Sequence, residues 1–294
     1  MRVFVLGALH LDVVLRAPHL PRMDETVVGQ SVTYVVGGKG GNQAMAAARH
    51  HAPTTMAGRV GDDDFADRIM DGLRMAGVET GQIKSGPGPS GMSVAIVQND
   101  GRYGAAIVSA ANLRIDPAMI TIPADTGLIL LQNEIPEAAN LQIAREARSR
   151  GIPVILNAAP ARPIAPELRT ALSVLVVNRV EAEDITGVHI TTSEGADAAA
   201  RTLAQGHEVI LTLGAEGVIH ATSETVTHYP AHPVQARSTH GAGDAFLGAY
   251  AARYVIDGAD GADALAYAQA AAALHVSRSD PADVTPDDVR AFIR

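Results

Sequence analysis

The stretch GLILLQNEIPEAANLQIAREARSRGIPVILN, residues Gly127–Asn157, indicates the fold class. It contains an apolar run at Gly127–Leu131, a predicted helix at Glu137–Ser149 and a second apolar run at Val154–Leu156. Short apolar runs bounded by turn residues are typical of buried strands, and a helix between two of them makes the strands parallel. The same alternation continues with predicted strands at Val174–Val177 and Val209–Leu213. We therefore predict an α/β fold, with a central, mostly parallel sheet and helices on both faces.

Two segments depart from this alternation, at about Val13–Val36 and Met92–Val108. Both are rich in β-forming residues; the first includes a predicted strand at Thr26–Val36, and the second contains an Asp100–Gly101 pair that is typical of a hairpin turn. We expect these segments to form a small β lid over the strand ends. The chain has no low-complexity linker, so we predict one domain over residues 1–294.

Composition limits the classes of function. The 294 residues can form one large core, and 47% apolar and 19% charged residues are usual for a soluble globular protein. The net charge of −9 argues against a nucleic-acid partner, and no apolar run reaches the ~20 residues that span a membrane. The chain has no cysteine, which excludes a disulfide framework and is consistent with the cytoplasm.

The loop RSTHGAGDAFLGAY, Arg237–Tyr250, leads into a predicted apolar helix. Gly241, Ala242 and Gly243 would let backbone approach a ligand, and the unpaired N–H groups of a helix start attract anions. The acid that follows, Asp244, could be a ligand-site residue or an ordinary N-cap. Three small residues before it favour the ligand site.

A second glycine-rich loop, GGKGGN at Gly37–Asn42, also precedes a predicted helix. It lacks the spacing of the G-x-x-x-x-G-K-[ST] phosphate loop. Lys39 and Asn42 could contact the oxygens of a polar ligand, or the loop could be a tight turn with a solvated lysine.

Polar residues follow other predicted strands, where ligands bind in α/β sheets. Asn178 and Glu181 have the spacing of a capping box, and the same pair could hold a metal–phosphate complex through water. The turn LTLGAEG at Leu211–Gly217 fits nucleotide contact or a hairpin. Glu134 and Asp12 each come just past a predicted strand.

Taken together, GGKGGNQAMAAAR and THGAGDAFLGAY resemble the two signatures of the ribokinase-like (PfkB) carbohydrate kinases. Between them, GRVGDDDFA, LLQNEIP, LNAAPA, VNRVEAEDITG and LTLGAEGV follow the order of that family. The resemblance covers nearly the whole chain and is greatest to the ribokinase branch. It implies ATP-dependent phosphorylation of a sugar hydroxyl with Mg²⁺, on ribose or a related pentose or furanose sugar. The alternatives are a nucleoside kinase of the same family and a non-catalytic sugar-sensing protein.

The resemblance also implies residue roles. Asp244 would be the catalytic base that takes the hydroxyl proton, and Gly241, Ala242 and Gly243 would form the anion hole. The sugar site would contain His10, Asp12, Gly38, Lys39, Asn42 and Glu134. The nucleotide site would contain Asn178, Thr212, Gly214 and Gln269, with Glu181 reaching Mg²⁺ through water. The family further implies a homodimer formed through the lid.

The chain departs from the ribokinase branch at three places. His10 stands where that branch has Asn, which leaves the identity of the sugar open. Ser238 replaces the acid that commonly begins the second signature and helps to build a monovalent-cation site. The stretch SRSDPADVTP, residues 277–286, differs in the same region, so we expect weak or absent K⁺ activation. Only Tyr34 and Tyr103 could offer an aromatic lid surface to a base, which disfavours a nucleoside.

Overall fold

The computed structural model describes residues 1–99, 102–258 and 261–293. Strands and helices are numbered here in chain order. The central sheet has nine strands: β1 (Arg2–Leu6), β4 (Thr54–Val60), β5 (Glu79–Ser85), β8 (Thr126–Gln132), β9 (Val154–Asn157), β10 (Val174–Asn178), β11 (Glu208–Thr212), β12 (Val218–Ala221) and β13 (Val226–Tyr229). The small sheet has four strands: β2 (His10–Ala17), β3 (Ser31–Gly37), β6 (Gly91–Gln98) and β7 (Tyr103–Val108).

The described α-helices lie between and after these strands. They are α1 (Lys39–Arg49), α2 (Asp64–Met75), α3 (Glu137–Ser149), α4 (Pro166–Arg169), α5 (Arg179–Thr186), α6 (Ser193–Leu203), α7 (Ala242–Asp257), α8 (Gly261–Ser277) and α9 (Pro286–Ile293). None of the helices in the described residues is long and apolar enough to cross a membrane.

The central sheet confirms the predicted fold class. Its strand order is β13-β12-β11-β10-β9-β8-β1-β4-β5, and only the β11–β12 and β12–β13 pairs are antiparallel. In β1, Val3 and Val5 belong to one apolar core, which also contains Leu247 of α7. Phe4, the residue between them, belongs to a second core with Ile143 of α3. The sheet is therefore covered by helices on both faces, as the sequence predicts.

The small sheet, here called the lid, has the order β3-β2-β6-β7 and arises from the two segments predicted for it. At one end of the lid, His10 pairs with Gly37 of β3 and with Gly91 of β6. The predicted Asp100–Gly101 turn lies outside the described residues, and the flanking strands β6 and β7 pair antiparallel.

Several boundaries differ from the predictions. The predicted strand at Thr26–Val36 is wrong over residues 26–30, because Val28 is 85% exposed and packs on no core. Asp12 lies within lid strand β2 rather than in a loop after β1. Strands β5, β12 and β13 were not expected, because β12 and β13 have four residues each and β5, with the sequence ETGQIKS, has a single large apolar residue.

Candidate active site

The glycine-rich loop at Gly37–Asn42 packs against the segment that follows β1. Gly38 has a φ of 82°, and a side chain there would place its Cβ 2.6 Å from the carbonyl oxygen of Ala8. The N–H of Gly41 donates to that same oxygen at 3.2 Å. Only glycine fits at this position, because any side chain would collide with the Ala8 carbonyl. The close contact places the first turn of α1 beside the segment that follows β1.

Lys39 and Glu134 meet at this first turn. The backbone N–H of Lys39 donates to Oε2 of Glu134 at 2.8 Å. Burial raises the pKa of Glu134, an effect that the Lys39 N–H and ammonium oppose and the charges of Asp244 and Asp12 reinforce. These four residues, predicted from four distant motifs, therefore share one electrostatic environment.

Asp244 lies in the first turn of α7 and is only 7% exposed. Oδ1 accepts a hydrogen bond from Nε2 of Gln43 at 2.9 Å, and Oδ2 accepts one from Nδ2 of Asn42 at 3.3 Å. The N-cap of α7 is Gly241, in the left-handed conformation, so the reading of Asp244 as an ordinary N-cap is wrong. A carboxylate in the first turn is stabilised by the helix dipole.

The start of α7 presents backbone donors. The first helical hydrogen bond runs from the N–H of Ala245 to the carbonyl of Gly241 at 2.9 Å. The N–H of Ala242 is already engaged, at 3.3 Å, with the carbonyl of Thr239. The N–H groups of Gly243 and Asp244 precede that first helical bond and are available to an anion.

An open cleft of about 580 Å³ lies beside Asp244. It is also lined by Asp12, Asn42 and Gly241, and by Val35 and Val36 of the lid strand β3. Asp12 is held by the hydroxyl of Ser93, which donates to its Oδ1 at 2.5 Å. The structure thus brings predicted sugar-site residues and the predicted base into one cleft.

Asn178 and Glu181 form the capping box that the sequence allows. Oδ1 of Asn178 accepts from the N–H of Glu181 at 2.9 Å, and Oε2 of Glu181 accepts from the N–H of Asn178 at 2.8 Å. Burial raises the pKa of Glu181, and its carboxylate senses the charges of Lys39 and Asp244. The pair therefore caps α5, and the Glu181 carboxylate is close enough to Asp244 in the cleft to interact with its charge.

The other predicted nucleotide residues occupy two places. Thr212 ends β11 beside Asn178 in the parallel register, and Gly214 follows with a φ of 63°. Gln269 lies on α8, 9% exposed, and its Oε1 has no hydrogen-bond partner among the described residues. The structure brings Thr212 and Asn178 together but places Gln269 on a separate element.

His10 is buried at the base of the lid. Burial lowers its pKa, against the opposing charge of Asp12, so the imidazole is neutral near pH 7. Among the described residues its Nε2 has no hydrogen-bond partner. This nitrogen is a polar group that a ligand could satisfy.

Ser238 and His275 shape the loop before the anion hole. The hydroxyl of Ser238 accepts from the N–H of His240 at 3.3 Å. His275, in the last turn of α8, bonds through Nε2 to the carbonyl oxygen of His240 at 2.9 Å. That carbonyl immediately precedes Gly241, so an imidazole rather than a carboxylate supports this part of the loop.

Sequence reasoning missed Gln43, Gln132 and His275. Gln43 and Gln132 are fully buried, and Gln43 contacts the candidate base directly. The sequence signal that could have identified them is a glutamine within a predicted buried helix or strand, since a buried amide needs hydrogen-bond partners. No sequence signal identified His275, because its partner is a backbone carbonyl 35 residues away.

Comparison with known proteins identifies the family of this chain. The model of the pfkB family of carbohydrate kinases matches residues 1–288. Ribokinase of Bacillus subtilis is 34% identical over 278 residues, which cover 93% of this chain and 92% of that protein. Deoxyribokinase of Salmonella typhi is 32% identical over 266 residues, covering 88% and 87% of the two chains.

Solved structures agree as well. The structure of Arabidopsis thaliana ribokinase complexed with ribose and ATP superposes with a TM-score of 0.92 at 29% identity, covering 100% of this chain and 98% of that one. The match to the family model extends over nearly all of the chain, and Asn42, Gly241 and Asp244 of the two signature motifs line one cleft. This chain therefore belongs to the pfkB family of carbohydrate kinases, and it is an ATP-dependent carbohydrate kinase.

Proposed function

We propose that this protein transfers the γ-phosphoryl group of ATP to a hydroxyl of ribose. The observation that carries the proposal is the position of Asp244, a buried carboxylate next to free backbone donors and in the same cleft as Asp12 and Asn42. Relatives that are named ribokinase and are 30–34% identical support ribose as the sugar.

Asp244 acts as the general base. Its carboxylate takes the proton from the attacking hydroxyl as the oxygen bonds to phosphorus. The N–H groups of Gly243 and Asp244 stabilise the charge of the transferring phosphoryl group, while Gly241 and Ala242 keep side chains away from it. Positioning and electrostatics account for most of the catalysis in such transfers.

The sugar binds between the lid and α1. Its hydroxyls are held by Asp12 and Asn42, which line the cleft, and by Gly38, Lys39 and Glu134 at the start of α1. Nε2 of His10, which has no described protein partner, is satisfied by a sugar hydroxyl.

ATP binds along the ends of β10 and β11. Thr212 and Gly214 contact the nucleotide, with Asn178 beside them and Gln269 offering its unsatisfied Oε1. Mg²⁺ fits Glu181, because a buried carboxylate with Oε2 used in capping still offers Oε1 to a hydrated ion. When bound, the ion neutralises phosphate charge.

A monovalent cation does not fit beside the anion hole. Ser238 supplies no charge and uses its hydroxyl for the N–H of His240. The cleft at this point is also lined by Arg237 and Arg278, whose charges oppose a cation, and by one carboxylate, Asp280. We therefore propose that the enzyme works without K⁺.

The second candidate substrate is 2-deoxyribose, which the deoxyribokinase relative at 32% identity favours. A nucleoside remains the third alternative, but the guanidinium of Arg68 covers the ring of Tyr34 at 4.8 Å from its centroid. That ring is therefore occupied rather than offered to a base.

The lid also supports a homodimer. Its strands leave several apolar side chains exposed: Val32, Val35, Val94, Ile107 and Val108. By the strand register, Val32, Val94 and Val108 share one face of the lid, opposite the face that carries Asp12, Val35 and Ile107. Exposed apolar surface on one face indicates an interaction site. A single change, Val94→Lys, is expected to produce a monomer in light scattering if this face of the lid forms the interface, and unchanged mass would contradict this.

The test of function is a screen for sugar-dependent ADP release. Ribose, 2-deoxyribose, fructose, tagatose and several nucleosides are compared, with ATP and Mg²⁺. We expect the highest kcat/KM with ribose. A nucleoside as the preferred substrate would contradict the proposal, and tight ribose binding with no ADP release would indicate the sensing alternative.

A further inference from the structure

A chain of buried amides connects the candidate base to the centre of the sheet. Nε2 of Gln43 donates to Oδ1 of Asp244 at 2.9 Å and to Oδ1 of Asn157 at 3.2 Å. Oε1 of Gln43 accepts from Nε2 of Gln132 at 2.8 Å. Gln43 and Gln132 are both 0% exposed, so no solvent can replace these partners.

The chemistry of the groups fixes the direction of this chain. An ionised carboxylate only accepts hydrogen bonds, so Gln43 must turn its NH₂ group toward Asp244. Its oxygen then faces Gln132, which must donate in turn. The backbone of Gln132 is anchored separately, since its carbonyl accepts from Nδ2 of Asn140 at 2.8 Å. The side-chain amides of Gln43 and Gln132 therefore each have one orientation that provides the hydrogen bond that the next group in the chain needs.

The two oxygens of Asp244 are consequently unequal. Oδ1 is engaged by a buried amide at 2.9 Å, whereas the one contact that Oδ2 receives from the described residues is the 3.3 Å contact from Asn42, a cleft-lining residue. A proton-accepting oxygen needs a free lone pair on the side where the substrate hydroxyl binds. Oδ2 meets that requirement, and Oδ1 is the oxygen that holds the group in place.

The geometry points to Gln43 and Gln132 as positioning residues that aim Oδ2 of Asp244 at the sugar hydroxyl. This inference rests on the proposed function, since it assigns the support of the base in that reaction. Gln43 acts through Asp244, and Gln132 acts through Gln43. Neither amide touches the substrate.

The test is steady-state kinetics with ribose on Gln43→Met and Gln132→Met, which keep side-chain size and remove the donors. We expect kcat to fall by about 10- to 100-fold for Gln43→Met, with less than about a threefold change in the KM for ribose. Gln132→Met is expected to show the same pattern with a smaller loss. If Gln43→Met does not fold, Gln132→Met carries the test.

A double-mutant cycle separates positioning from general damage. In an Asp244→Asn background, the Gln43→Met change is expected to cost less than about twofold in kcat, because its target is already lost. Tyr267→Phe is the matched control: it removes a buried 2.9 Å contact between α8 and His50 of α1. It is expected to lower Tm and to leave kcat unchanged.

The outcomes distinguish the two claims. No ribose-dependent ADP release by the wild-type protein contradicts the proposed function itself. Wild-type activity with kcat within twofold for both Gln→Met variants overturns the positioning role. A full Gln43→Met loss that persists in the Asp244→Asn background overturns it as well.

Discussion

Gly248 of α7 lies against Ala46 of α1 so closely that a Cβ on Gly248 would sit 2.3 Å from the Cβ of Ala46. The same added atom would lie 2.7 Å from the backbone nitrogen of Ala47. Four residues earlier in α7 is Asp244, and α1 carries Asn42 and Gln43, which bond to it. The spacing between these two helices therefore sets the geometry of the candidate base.

Gly248→Ala should separate α7 from α1. We expect a loss of about 1–3 kcal/mol in the free energy of unfolding and a fall in kcat of at least about tenfold, since a shift near 1 Å misaligns the base. Gly81→Ala is the control, because Gly81 has no neighbour within 4 Å of its added Cβ. Denaturant unfolding and ADP-release kinetics check both; a Gly248→Ala enzyme of normal kcat would argue against this coupling.

Replacing His10 should weaken sugar binding and leave nucleotide binding unchanged. His10→Phe keeps a ring of similar size but removes the nitrogen that no described residue satisfies. We expect the KM for ribose to rise about tenfold, as for a lost hydrogen bond, with the KM for ATP unchanged. An unaltered KM for ribose would show that His10 only fills space beneath the lid.

The response to potassium tests the loop around Ser238. Because His275, and no carboxylate, supports the carbonyl of His240, the rate should be the same in K⁺ and in tetramethylammonium at equal ionic strength. The measurement is initial ADP release at saturating ribose and ATP. A several-fold increase in K⁺ would mean that a cation site forms despite Ser238.

Acid should weaken the fold through His207. This residue is buried, neither of its ring nitrogens has a partner among the described residues, and burial lowers its pKa to about 4. Between pH 6.5 and about 4 the unfolded chain binds a proton that the native chain does not, so stability falls as the pH falls. The cost at pH 5 is about 1–2 kcal/mol after allowance for partial exposure.

His207→Leu removes that cost. Its Tm should decrease less between pH 7 and pH 5 than that of the wild type, by about 2–5 °C. Thermal unfolding followed by circular dichroism measures the difference. Identical pH slopes for the two proteins would mean that His207 is not the titrating group.

The sequence was sufficient for the parts of the fold that depend on local pattern. The predicted helix at Glu137–Ser149 matches α3 residue for residue, because it has a regular apolar face, and the predicted strand at Val174–Val177 lies within β10, because all four of its residues are buried. The strand predicted over residues 26–30 is absent from the structure, since β-forming residues make a strand only where a partner strand is available. The last two strands of the central sheet, β12 and β13, have four residues each, which are too few to show an alternation.

The site was predictable where a motif marks it and not where only packing does. The glycine-rich sequences before Lys39 and Asp244 predict loops in which a ligand can approach the backbone closely. The contacts of Gln43 with Gln132 and of His275 with the His240 carbonyl join residues 89 and 35 positions apart, and no local pattern encodes them. Such partners become apparent only when the helices and strands are packed.

The central claim is that Asp244 is the base of a ribose kinase, and the Asp244→Asn enzyme tests it most directly. Asparagine preserves the size of the side chain but cannot take a proton, so kcat for ribose-dependent ADP release should fall by about 100- to 10,000-fold. ATP binding, measured by calorimetry, should stay within about threefold of the wild type, since the proposed nucleotide residues lie on other strands, loops and helices than Asp244. An Asp244→Asn enzyme that turns over ribose at a near wild-type rate would contradict the account.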